Sequence, residues 1–264
     1  CFITNVVLLK RFLGKMMSMI RLVLCLFALI SSQAYAAQVY AVGTEFARIF
    51  ERKGDGEYVG LSVDIIRALA RQNGDTVSFD IFPWRRAQWM VENGHAQILI
   101  GPYKTAERET KFTFAQRPFY QDVMAFYVRR DAMALNWDGN YASLGNSKLA
   151  VINGWVYGQR FESARSVLKP AVANSLENGL NMLVAKRVDF LATNLRNSDA
   201  LLNKMGLSAK VLILQPFIDR QDGYLAYCKV GCDALRVRYD ELFEQLYVSN
   251  ALHDMARKYE VRLP

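Results

Sequence analysis

The chain has 264 residues, with 33 Lys and Arg against 25 Asp and Glu, 2 His and 4 Cys. That length suits one large domain or two smaller lobes. Charges of both signs are scattered along it, which excludes the clustered basic face of a nucleic-acid binder.

Residues 1–36 read as a leader and are set aside for the fold. Met16, Met17 and Met19 precede Arg21, the apolar run Leu22–Ile30 and the small-residue end Ala34-Tyr35-Ala36. A basic region, an apolar region and an Ala-x-Ala site predict a secretory signal peptide cut before Ala37. The apolar run is shorter than the roughly 20 residues a membrane span needs. Cys25 follows the bulky Leu24, which fits a lipoprotein cleavage site poorly. The stretch before Met16 reads as an extended or misplaced translation start, or as a fragment edge. Without residues 1–36, 29 basic side chains face 25 acidic ones, a balance of +4.

Gln38–Gly43 reads as a first strand, followed by the loop Thr44–Arg48. Ile65-Ile66 and Ala68-Leu69 after Gly60 have helical spacing, and Gly74 closes that helix. Thr76–Ile81 alternates as a strand does. Pro83-Trp84-Arg85-Arg86 leads into a helix over 87–92, and Gln97–Ile100 is a buried-type strand. Strands alternating with helices predict an α/β lobe with a largely parallel sheet.

Pro102–Lys111 then reads as an exposed polar loop holding Arg108, with Lys111–Phe114 a further strand. An arginine presents a planar fork that matches a carboxylate. The alternative is a solvated surface charge. Val123–Val128 is a strand, and Asp131–Asn146 is looser and turn-rich. A second α/β series follows: a strand at 149–152, helices at 159–168 and 176–183, a strand at 188–193, a helix at 199–204 and a strand at 211–214. Tyr224–Tyr227 crosses back, and 233–259 is mostly amphipathic helix. The order predicts two lobes joined by crossings near 121–127 and 218–225: 37–122 with 223–264, and 123–222. Ligands of open α/β sheets bind beyond the carboxyl ends of strands, so the loops after the strands line a cleft.

Cys228 and Cys232 are an even pair in an exported chain, and a short disulfide is the natural reading. The alternative is two reduced, half-buried thiols. His95 and His253 are distant in sequence, and no zinc-type ligand spacing occurs, so no metal and no cofactor are expected. Trp89, at helical spacing from Trp84, reads as packing. His95 and His253 read as exposed.

Four segments carry a resemblance. Gly60–Ile66, Pro83–Ala87, Thr105–Arg108 with Phe112–Tyr120, and Lys186–Asp189 resemble the bacterial extracellular solute-binding proteins of family 3, the polar amino-acid receptors of ABC importers. The resemblance covers nearly all of 38–260. It implies an α/β fold of periplasmic-binding-protein type II, the Venus flytrap. It also implies a periplasmic monomer that delivers a small carboxylate or amino acid to an inner-membrane ABC permease. Arg108 would clamp the ligand carboxylate, and Trp84 and Phe46 would supply aromatic walls. Gly101 and Tyr103 would border the site.

The chain departs from the family's pattern. Asn194 stands where an aspartate commonly holds the ligand's ammonium. Tyr103 replaces a hydroxyl residue, and Trp155 and Tyr157 stand where small residues are common. Glu45 restores a negative charge on one reading and is a surface carboxylate on the other. A sensing receptor for a membrane partner is an alternative use of the same fold. A dehydratase-like enzyme is another, but it needs an acid/base pair, and Glu45 has no evident partner.

Overall fold

Short apolar segments after residue 37 assemble into a ten-stranded sheet in the computed structural model, which describes residues 37–132 and 135–264. The leader expected over 1–36 lies outside the described residues. β1 (Gln38–Gly43) lies between β4 (Thr76–Ile81) and β5 (Ile98–Tyr103), parallel to both. All six residues of β5 are buried, as a strand covered on both faces requires. A two-stranded ribbon, β2 (Glu51–Arg52) and β3 (Tyr58–Val59), precedes helix α1 (Leu61–Asn73). α1 turns Ile65, Ile66 and Leu69 into the core. In α2 (Trp84–Glu92), Trp84, Ala87 and Val91 face inward at helical spacing. Trp89 does not pack there. It is 49% exposed and stacks on His95, ring centroids 5.0 Å apart. His95 and His253 are exposed.

The two longest strands hold the sheet together. In β7 (Tyr120–Arg129) and β12 (Asp219–Cys228), Tyr120 to Met124 pair antiparallel with Gly223 to Asp219. Beyond that ladder the strands part. β12 runs on beside β5 and β6 (Phe112–Phe114). β7 runs on beside β10 (Phe190–Asn194) and β11 (Val211–Ile213). On that second side β10, β8 (Leu149–Ile152) and β9 (Ala171–Ala173) are parallel. Helices α4 (Gln159–Leu168), α5 (Leu176–Val184) and α6 (Leu195–Met205) belong to it.

The closing helices α7 (Asp233–Val248) and α8 (Ala251–Lys258) return to the first side. There Tyr239 donates to Asp75 at 3.1 Å, and Lys258 and Tyr259 bond Asp64 at 2.7 and 2.9 Å. Cys228 and Cys232 form a disulfide that ties the end of β12 to the start of α7. One core cluster spans much of the sheet. A second, around Tyr127, Leu180, Leu183 and Leu191, belongs to the far side.

Candidate functional site

Arg108 is not in an exposed loop. It lies in α3 (Ala106–Lys111), a single short helix, and is 6% exposed. Thr105 starts that helix, its side chain accepting from the Arg108 backbone N–H at 3.2 Å. Glu107 and Glu109 favour the positive helix start. Glu107 also pairs with Lys111 one turn on, at 2.9 Å. Thr105 followed by acidic residues is the one helix-start signal here, and a weak one within a polar run.

The guanidinium is therefore aimed by secondary structure. Nη1 donates to the Tyr103 carbonyl at 2.8 Å, and Nη2 to the Gly154 carbonyl across the cleft at 3.0 Å. Trp84 Nε1 donates to the same Gly154 carbonyl at 3.2 Å. Arg108 also lies against the Trp84 ring, 5.6 Å from its centroid. Burial lowers its pKa below the usual guanidinium value. Among the described residues no carboxylate forms an ion pair with it.

Phe46, Trp84, Gly101, Tyr103, Trp155 and Val156 enclose the space in front of Arg108. About 10 Å³ is open to the centre of a water molecule, room for roughly one water. Two glycines shape this wall. Gly101 has φ 81°, and an added Cβ would meet the Phe46 ring at 3.3 Å. Gly154 has φ 76°, and a Cβ would lie 3.2 Å from Trp84. Both conformations are disfavoured for residues that carry a Cβ. A larger pocket of about 660 Å³ adjoins, sharing Trp84 and Trp155 and lined also by Glu45, Lys204 and Asn197.

The cavity thus brings together Arg108, Trp84, Phe46, Tyr103, Gly101 and Trp155. Glu45 stands apart, exposed on the larger pocket. Tyr157 lies elsewhere: it is fully buried in the second side, and its hydroxyl accepts from the Ile152 N–H at 2.7 Å. Alternation along its loop turns Trp155 to the cleft and Tyr157 to the core. Asn194 is also outside the cavity wall. It caps α6, Oδ1 accepting from the Asn197 N–H at 2.9 Å, and its Nδ2 donates to the Tyr103 hydroxyl at 3.2 Å. The cap starts α6 at Leu195, four residues before the start expected from sequence.

Behind Tyr103 is a charged pair that the sequence did not reveal. Arg196 holds Asp122 through Nε and Nη2 at 2.9 and 2.7 Å, and the Tyr103 hydroxyl donates to Asp122 at 2.6 Å. Asp122 lies on β7 and Arg196 on α6, 74 residues apart, so no local pattern links them. Arg196 also donates to the Ala47 carbonyl, and the Ala47 N–H donates to Asn197 Oδ1 at 3.0 Å. Burial is the largest influence on Arg196 and opposes its charge, but Asp122 with Tyr120 and Tyr103 together outweigh it and the pKa is raised. Burial, with Asp122 adding to it, raises Tyr103 well above the usual tyrosine value.

Solved structures with this fold include amino-acid-bound proteins and a sensor domain. A histidine kinase sensor domain with similarity to periplasmic binding proteins superposes with TM-score 0.77 at 18% identity, over 87% of this chain and 99% of its own. A histidine-bound substrate-binding protein of an ABC uptake transporter from Streptococcus pneumoniae gives 0.71 at 16% identity, over 84% and 92%. An ancestral arginine-binding protein bound to arginine gives 0.71 at 19%, over 84% and 98%. No curated protein sequence matches significantly. The fold is that of the type II periplasmic binding proteins. The family model for bacterial extracellular solute-binding proteins, family 3, matches residues 41–261, and the chain belongs to that family.

Proposed function

We propose that this protein is a periplasmic receptor that captures a small carboxylated solute, an amino acid or a related acid, for an inner-membrane ABC importer. Arg108 carries the reading. It is a buried cation with no ion-pair partner among the described residues, and it is held by two carbonyls at the back of an aromatic recess. Burying a charge without a counter-charge is costly. A ligand carboxylate meets that need better than a neutral carbonyl, because both partners are then charged.

Binding needs the cleft to part. The recess holds about one water, and the Gly154 carbonyl occupies the fork. The ligand carboxylate replaces that carbonyl on Arg108, while Trp84, Phe46 and Trp155 flank the rest of the molecule. Motion occurs where β7 and β12 cross, between lobes at 37–122 with 223–264 and at 123–222, a hinge closure of the usual two-state kind. The receptor works as a monomer exported through its cleaved leader. No chemistry is performed on the solute.

A thermal-shift screen against amino acids and other small carboxylates tests this. A ligand at about 100 times its dissociation constant stabilises the native state by about 2.7 kcal/mol. The shift is expected with a carboxylate and absent in Arg108→Ala. A carboxylate bound equally well by that variant overturns the assignment. The likeness to a sensor domain favours a second reading, the same capture coupled to a membrane signalling partner. Co-purification with a permease or with a signalling protein separates the two.

A further inference from the structure

We propose that the site rejects an α-ammonium group and that Arg196 is the residue that enforces this, an inference that rests on carboxylate capture by Arg108. The recess offers a ligand one charge, and it is positive. Phe46, Trp84, Gly101, Tyr103, Trp155 and Val156 complete the wall without a negative group.

One carboxylate, Asp122, lies a single hydrogen bond behind that wall, joined to the Tyr103 hydroxyl. Arg196 occupies both of its oxygens, at 2.9 and 2.7 Å. Asp122 is therefore neutralised before any ligand arrives. Arg196 is not free to leave. Its Nη1 bonds the Ala47 carbonyl and Asn197 Oδ1, and its guanidinium lies 5.0 Å from the centre of the Tyr120 ring.

Asn194 completes the exclusion. Its oxygen caps α6, and the group it directs at Tyr103 is an N–H donor. An ammonium entering beside Arg108 thus meets that guanidinium, with the Asn194 N–H donor and then Arg196 behind the Tyr103 wall. Glu45, Glu51 and Glu177 line the outer pocket, Glu45 and Glu177 exposed and Glu51 half-buried and accepting from the Arg48 N–H. A solvated carboxylate there returns little to a cation. Acids without an α-amino group avoid this penalty.

Matched acids differing only in that group test the proposal: glutarate with L-glutamate, 3-phenylpropionate with L-phenylalanine, and butyrate with L-2-aminobutyrate. Isothermal titration is run on the wild type, Arg196→Gln and the double variant Asp122→Asn/Arg196→Gln. For whichever pair binds, the wild type prefers the des-amino acid by about tenfold or more, the worth of one charge-assisted bond. Arg196→Gln keeps a donor for the Ala47 carbonyl but uncovers Asp122, and the preference moves toward the amino acid. The double variant lacks the uncovered charge and returns to the wild-type order.

If Arg196→Gln fails to fold, the wild-type ranking decides alone. An amino acid bound more tightly than its des-amino partner by the wild type overturns the selectivity while leaving carboxylate capture intact. A ratio unmoved in a folded Arg196→Gln overturns the role of Arg196. If no member of any pair binds to any of the three proteins, the carboxylate reading fails and the selectivity with it.

Discussion

Arg108 donates through Nη2 to the carbonyl of Gly154, 3.0 Å away and 46 residues later in the chain. The side chain expected to hold a ligand thus also holds the second side of the cleft. Truncation therefore has two effects. Arg108→Ala is expected to abolish binding of a carboxylate ligand and to leave the Tyr103 carbonyl without its side-chain donor. The stability cost is about 1–3 kcal/mol. Urea unfolding without ligand measures the second effect, and titration calorimetry the first.

Asp122→Asn removes the counter-charge of Arg196, which stays buried. Breaking one side of a buried pair costs about 3–5 kcal/mol, because the remaining charge is uncompensated. The variant is expected to lower the urea midpoint without changing the slope. A midpoint within error of the wild type would mean that the pair is solvated in solution.

The disulfide between Cys228 and Cys232 closes a loop of separation 4 at the start of α7, far along β12 from Gly223. A loop this short restricts the unfolded chain modestly, by about 2 kcal/mol. Replacing both cysteines with serine is expected to lower stability by that amount and to leave ligand affinity unchanged. Denaturant melts paired with calorimetry check both statements.

Alkali is expected to unfold the protein. Burial raises the pKa of Tyr103, Tyr120, Tyr157 and Tyr227 above the ordinary value of 10.0. Below that value these tyrosines keep their protons in both states, and stability is undiminished. As pH rises past it, the unfolded chain ionises first and stability falls. Tyr40 is less buried and is raised only to about 12, by burial and by its bond to Asp80. Absorbance at 295 nm should show the buried tyrosines ionising only together with loss of circular dichroism.

Much of the fold was legible because strand and helix periods are local properties. β1, α1 and β4 follow directly from their apolar spacing. The helix at Arg108 was missed because a capping threonine is a weak signal beside a polar run, and polar runs read as loops. The first turn of α6 is hidden for the same reason: Asn194 matches a ligand position in the family's pattern, and in the fold it is a cap. Among the cleft residues, Arg108 stands out as an arginine in a polar turn after a buried strand, whereas Trp84, Phe46 and Trp155 follow from a resemblance rather than from spacing. The Arg196–Asp122 pair lay beyond either route. Its members are 74 residues apart and meet only through tertiary structure.

Ala47 is recognised through its peptide groups. Its N–H is taken by Asn197 and its carbonyl by Arg196, two neighbouring side chains that imitate one rung of a strand ladder. Such a contact does not read the side chain at position 47. Substitution there is nearly silent for this contact, except by proline, which lacks the donor. On the opposite side the contact depends entirely on what occupies 196 and 197. The tolerance of the cleft to mutation is therefore lopsided, and random mutagenesis should recover many residues at 47 but few at 196.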